Sequence, residues 1–308
     1  MSRAFVFPGQ GAQTIGMGRD LAAAYPAAKA VFDEVNEALG EDLSALIWEG
    51  AQDTLTLTEN AQPALMATSL AALRALEAEG VVTADAAAFV AGHSLGEYAA
   101  LAASGALGIG DAARLLRLRG RAMQQAVPVG EGAMAAILGL DLDTVAQVAA
   151  EAAQGAVCEA ANDNDPAQVV VSGNKAAVER AVEIAKDRGA KRAMLLPVSA
   201  PFHCALMAPA GRAMAGALAD VDIAPPAPPL VANVSAEAET DPDRIRAALV
   251  EQVTARVRWR ESVAWMAAQG VTEVWEIGAG KALSGMVRRI DRGIACRAVG
   301  TPAEVADA

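Results

Sequence analysis

Aromatic residues make up only 4% of this 308-residue chain, although 54% of its residues are hydrophobic. The core must therefore be aliphatic, built mainly from Ala, Val and Leu, which suits a soluble α/β protein of one large domain or a large domain with a smaller companion. There are three cysteines, Cys158, Cys204 and Cys296, and no C-x-x-C pair. That odd, scattered set gives no disulfide framework and no cysteine zinc site. No apolar run approaches the roughly 20 residues that span a bilayer. The opening Met1-Ser2-Arg3-Ala4-Phe5-Val6-Phe7 lacks the length and cleavage pattern of a signal peptide, so a reduced, cytoplasmic setting is expected. The formal net charge of −12 argues against nucleic acid as the main partner. Two Gly-rich stretches also fail as phosphate loops. Gly9, Gly11, Gly16 and Gly18 do not make G-x-G-x-x-G, and Gly278-Ala279-Gly280-Lys281 lacks the Walker spacing.

What is present is an alternation of strand-like and helix-like segments. Ala4–Phe7 reads as a strand running into Pro8-Gly9-Gln10-Gly11. Helical patterns fill 27–39 and 60–79, and another helix starts near Asp111, read as its N-cap. Strand 87–91 leads into a turn and a helix over 95–103. From Gly130 the spacing predicts strand 133–138, helix 141–153, strands 156–161 and 168–172, helix 175–188 and strand 192–198. The stretch Asn162-Asp163-Asn164-Asp165-Pro166 reads as the turn between the middle two strands. This β-α-β-β-α-β order is the ferredoxin-like split unit. It predicts a small domain over 128–197 inserted into a large α/β domain of 1–127 and 198–308. A helix to about Ala219, a rigid Pro-rich connector over 224–229 and strands at 271–277 and 294–299 complete the large domain. Residues 304–308 read as a loose tail.

Gly92-His93-Ser94-Leu95-Gly96 sits between a strand and a helix. That is the context of a nucleophile elbow, where a serine is held on a tight turn beside a helix N-terminus. A serine nucleophile needs a base. The chain has two histidines only. His93 adjoins the serine and points the other way along the turn, so a buried structural role is expected for it. His203, in Val198-Ser199-Ala200-Pro201-Phe202-His203, is the remaining candidate. No acid stands out to orient it, and a carbonyl oxygen can hold its Nδ1 proton instead. A second oxyanion donor should come from another strand end, where the Gln10 backbone N–H is a candidate. On a helix over 111–126, Arg114, Arg117 and Arg121 fall on one side, while Arg119 falls within the stripe of Ala112, Leu115, Leu116, Ala122, Met123 and Ala126. A guanidinium facing the core needs an anionic or equivalent partner. An internal Asp or Glu and a substrate carboxylate both satisfy that need.

Phe7–Gly11, Gly92–Glu97, Leu118-Arg119-Gly120, Gly130–Asp141, Val198–His203 and Glu276–Lys281 stand in an order that resembles the malonyl-CoA:acyl carrier protein transacylase family of type II fatty acid synthesis. The resemblance covers nearly the whole chain. It implies an α/β-hydrolase-like large domain with a ferredoxin-like insert, and ping-pong transfer of a malonyl group from coenzyme A to the phosphopantetheine thiol of acyl carrier protein. It implies Ser94 as nucleophile, His203 as general base and Arg119 as the grip on the malonyl carboxylate. Gln10 and Leu95 become the oxyanion N–H donors, and Gln252 supplies the carbonyl that orients the histidine. Asn162 resembles a small-domain residue facing the site, or is a plain turn residue. Phe202 resembles a position linked to malonyl selectivity, or is ordinary packing. Cys204 reads as a small buried side chain. No metal or held cofactor is implied, since both thioesters are substrates, and a monomer is the family expectation.

Acyl carrier proteins of this pathway are acidic, so a locally basic docking surface is expected despite the net charge. Lys186, Arg188, Lys191 and Arg192 form one basic cluster and Arg288, Arg289 and Arg292 another. Three other readings remain open: a related transferase for polyketide assembly, a serine thioesterase or esterase with the same Ser94 and His203, and a non-catalytic nucleotide-binding or scaffold protein.

Overall fold

The computed structural model describes residues 2–83 and 86–308. Its strands in chain order are β1 Ser2–Phe7, β2 Phe89–Gly92, β3 Gly132–Leu138, β4 Cys158–Asp165, β5 Gln168–Asn174, β6 Arg192–Leu195, β7 Leu230–Val231, β8 Ala238–Glu239, β9 Val271–Ile277 and β10 Ala295–Val299. The larger sheet has the order β10-β9-β1-β2-β7-β8 and is parallel except for β8. Ala4 and Val6 of β1 join the core on one face, and Phe5 and Phe7 join the core on the other. Burial on both faces explains why this strand is continuously apolar rather than alternating. The helix Thr58–Ala78 is buried along nearly its whole length, which is why its sequence carries no clear polar stripe.

Strands β3 to β6 make an antiparallel sheet of order β4-β5-β3-β6, backed by the helices Leu142–Ala153 and Lys175–Asp187. Val145, Val148 and Val178 pack on Ala135, Ile137 and Val171 to give this sheet its own core. The chain is thus a large α/β unit carrying an inserted ferredoxin-like β-α-β-β-α-β unit.

Several local expectations are corrected. The Asn162–Asp165 stretch is strand, not turn. Its polar side chains meet large-domain partners. Asp163 accepts from Arg260 and Asp165 from Arg289, while the Asp163 N–H bonds to the Val257 carbonyl. Strand β6 stops at Leu195, because Pro197 has no N–H to offer a ladder. The helix expected at Asp111 begins at Ile109 after Gly108, and Asp111 pairs with Arg114 inside it. The tail is not loose. Thr301 caps a short helix, Pro302–Ala306, that buries Val305 completely.

Candidate active site

Strands β1 and β2 end side by side, with Phe7 opposite Gly92. This register sets the Pro8–Gly11 turn beside the turn that carries Ser94, at the carboxyl edge of a parallel sheet, where such folds place their sites. Ser94 has φ 54°, a left-handed conformation that costs a non-glycine residue about 1–2 kcal/mol. Gly96 makes the turn possible. A Cβ there would lie 2.2 Å from the Phe7 carbonyl oxygen. Behind the turn the helix Gly96–Ala103 begins, and its first turn bonds run from the N–H groups of Gly96, Glu97 and Tyr98. The Leu95 N–H lies outside that ladder, at a positive helix end.

His203 also has a left-handed backbone, φ 57°. Its Nε2 is 2.7 Å from Ser94 Oγ, and its Nδ1 is 2.8 Å from the backbone carbonyl of Gln252. With Nδ1–H donating to that carbonyl, Nε2 is left to accept the serine proton. Burial and the neighbouring Arg119 push the imidazole down to about 3, so the ring is neutral and able to act as a base.

Arg119 is 1% exposed. Gly120 beside it lets the helix Ile109–Ala126 press against the start of the helix Thr58–Ala78, since a Cβ there would lie 2.4 Å from Glu59 Cα. The Arg119 Nη1 donates to Gln62 Oε1 at 2.7 Å, and Nη2 donates to Gln252 Oε1 at 2.7 Å and to Ser94 Oγ at 3.2 Å. Its Nε has no partner. No carboxylate among the described residues forms an ion pair with it. Burial lowers its pKa, and Tyr98 and Glu97 oppose that shift. A buried cation held only by neutral acceptors and aimed at a serine oxygen suits a ligand that brings its own negative charge.

A cavity of about 770 Å³ opens above these groups between the two units. Gln10, Ser94, Leu95, Arg119, Phe202 and His203 line it from the large unit, and Asn162 from the small one. Gln252 lies behind this wall, fully buried. Of the two basic clusters, Lys191, Arg192, Arg288 and Arg289 are exposed and do not line the cavity. Arg289 is engaged with the buried Asp165 at 2.7 Å.

His93 takes the structural role expected of it, half-buried at the cavity wall rather than sealed from it. It lines the cavity and its Nε2 lies 2.8 Å from Asn164 Oδ1, joining the elbow to the small unit. Arg117, on the arginine side of its helix, is covered by the helix Thr58–Ala78. It is 6% exposed, with hydrogen bonds to the Glu59 carbonyl and Asn60 and an ion pair to Glu41. A helical wheel gives direction from one axis but not what a neighbouring helix covers.

Gln62, Asn233 and Glu97 also belong to the site, though no motif in the sequence assigns them a role. Asn233 Oδ1 accepts from the Ser94 N–H at 2.8 Å, and its Nδ2 donates to the Gly92 carbonyl at 2.6 Å. Each is a polar residue inside an apolar run (Ala61-Gln62-Pro63-Ala64, Val231-Ala232-Asn233-Val234 and Gly96-Glu97-Tyr98-Ala99), which is a usable signal.

A family model described as the acyl transferase domain matches residues 4–283. The chain is 48% identical over 305 residues to the malonyl CoA-acyl carrier protein transacylase of Escherichia coli (strain K12), covering 99% of this chain and 98% of that one. Among solved structures, the acyl-carrier-protein-S-malonyltransferase from Bartonella henselae superposes with a TM-score of 0.97 at 54% identity, covering 100% of this chain and 98% of that one. A malonyl-transacylase in complex with its type II PKS acyl-carrier protein superposes at 0.96 with 43% identity, covering 99% and 98%.

Proposed function

The chain belongs to the acyl transferase family, and from that premise we propose that it transfers a malonyl group from coenzyme A to the phosphopantetheine thiol of an acyl carrier protein in fatty acid biosynthesis. One observation carries the malonyl choice. The buried Arg119 reaches within 3.2 Å of Ser94 Oγ and has no anionic partner among the described residues. An acyl chain with a free carboxylate at its far end completes that pairing, and an acetyl group does not.

The steps follow from the contacts. Ser94 Oγ attacks the thioester carbonyl as its proton passes to His203 Nε2. The oxyanion is held by the backbone N–H groups of Gln10 and Leu95. The C–S bond breaks, His203 protonates the leaving coenzyme A sulfur, and malonyl-serine remains. The carrier thiol then gives its proton to His203 and attacks the ester, the C–O bond breaks, and His203 returns the proton to the departing Ser94 Oγ. One thioester replaces another, so transfer runs in both directions, and the chemistry balances without a metal or a held cofactor. Asn162 and Phe202 border the acyl site, and Gln252 keeps the imidazole in its working tautomer. Among the described residues no helix is long and apolar enough to cross a membrane, in keeping with work in the cytoplasm on diffusible carriers.

The test is intact mass after brief exposure to malonyl-CoA, followed by addition of carrier protein. Malonyl is expected on Ser94 and then on the carrier. Rapid loss to water without transfer would instead mean a hydrolase. Running the second step with fatty acid and polyketide carriers identifies the one served.

A further inference from the structure

Glu97 has no part in the steps above, yet it is fully buried one turn from Ser94. Its Oε2 accepts from Gln252 Nε2 at 2.7 Å and from the Asn233 N–H at 3.3 Å. Those two residues hold everything that reacts. Asn233 fixes both sides of the elbow through the Ser94 N–H and the Gly92 carbonyl. Gln252 donates to the Ser94 carbonyl at 2.9 Å, accepts from Arg119 through Oε1, and holds the His203 Nδ1 with its backbone oxygen.

A side-chain amide has one accepting end and one donating end. With its donating end on Glu97 and the Ser94 carbonyl, Gln252 presents its oxygen to the Arg119 guanidinium. Turned over, it would set an NH2 group against that cation and an oxygen against the carboxylate. Both contacts would be repulsive.

We propose that Glu97 is a positioning residue for acylation, its carboxyl group fixing the amide of Gln252 and through it the aim of Arg119 and the seat of Ser94. The proposal rests on Ser94 being the malonyl acceptor. Glu97 is also the carboxylate whose charge bears on Arg119, without touching it. Ionised, it offsets part of the cation that a malonyl carboxylate must find. Neutral, it leaves that cation undiluted. The charged and titratable groups that face it are Arg119, from the helix Ile109–Ala126, and Tyr98 on its own helix. Gln252 and Asn233 meet it as uncharged donors. Burial pushes its carboxyl up to about 7 despite the opposing pull of Gln252, Asn233 and Arg119, so this change of charge falls at neutral pH. Its Oε1 has no partner, which leaves room for the proton there while Oε2 goes on accepting.

The experiment is single-turnover malonylation of Ser94, followed by mass, for wild type, Glu97→Gln and Glu97→Leu between pH 6 and 8. Glu97→Gln keeps an accepting oxygen and places an NH2 at the vacant side, so it mimics the neutral acid. It should stay within roughly three-fold of wild type in maximal rate. The malonyl-CoA concentration giving half that rate should rise several-fold with pH for wild type and stay level for Glu97→Gln. Glu97→Leu removes the acceptor and should lower the maximal rate on the order of 100-fold, with the folded state checked by thermal melting. Equal losses in the two variants, no loss in either, or the same pH dependence in Glu97→Gln as in wild type would overturn the proposal. If Glu97→Leu does not fold, the pH comparison between wild type and Glu97→Gln decides alone. A wild type that forms no malonyl adduct would overturn the proposed function as well, whereas a normal adduct with indifferent variants overturns only the role of Glu97.

Discussion

Ser94 and His203 meet at 2.7 Å across 109 positions of sequence, and both stand on left-handed backbone, at φ 54° and 57°. Two non-glycine residues in that region, in contact with each other, mark where the fold stores strain for a site. For Ser94 the strain can be measured. Ser94→Ala and Ser94→Gly should both lose the malonyl adduct. Ser94→Gly should be more stable than Ser94→Ala by about 1 kcal/mol, because glycine takes the left-handed conformation freely. Urea titration of the two variants checks this, and equal midpoints would mean that the turn carries no strain.

Arg119→Ala should lower kcat/KM for malonyl-CoA by at least about 100-fold, the loss expected when a charge-assisted pair to substrate disappears. Acetyl transfer should improve relative to malonyl transfer, since acetyl has no carboxylate to place. Equal losses with the two substrates would assign Arg119 to structure alone.

The neutral His203 has a sign that can be read in stability. Its pKa in the fold lies far below 6.5, pushed down by burial first and by Arg119 second. The stability it contributes is therefore fully present above about pH 6.5 and is lost as pH falls toward 3. His203→Asn should fall less steeply than wild type in urea midpoint over that range. In the Glu97→Gln background, where the carboxyl no longer titrates, acylation should show no limb near pH 6.5. A limb there would mean that the imidazole is not desolvated.

Arg288 and Arg289 were read together as docking charges, and the structure separates them. Arg288 Nη2 donates to the Cys296 carbonyl at 3.2 Å, while Arg289 neutralises Asp165, which is 1% exposed. Arg288→Glu should raise the KM for carrier protein and leave acylation by malonyl-CoA unchanged. Arg289→Glu should in addition lower stability by about 1–3 kcal/mol, less than for a fully buried pair because the arginine is half in solvent. Thermal melts beside carrier kinetics distinguish the two. An Arg289→Glu protein that melts like wild type would remove the structural role assigned to the Asp165 pair.

The alternation of strands and helices, the inserted β-α-β-β-α-β unit and the elbow at Ser94 were all legible in the chain itself. Apolar periodicity and turn residues are local signals, and they reach across a few positions. Scarcity did the rest of that work: with two histidines in the chain, His203 follows once Ser94 is taken as nucleophile. Tertiary structure alone decided where long-range polar partners lie. Asn162–Asp165 reads as a turn because four polar residues rarely fill a buried strand end. Arg260, Arg289 and His93, from distant segments, satisfy Asp163, Asp165 and Asn164 there. Arg117 looks solvated until the helix Thr58–Ala78 covers it. Glu97 and Asn233 give no sign of what they hold, because burying a polar group is tolerable only when its partners are in place. Those partners arrive from 136 and 139 positions away, brought together when the strands align.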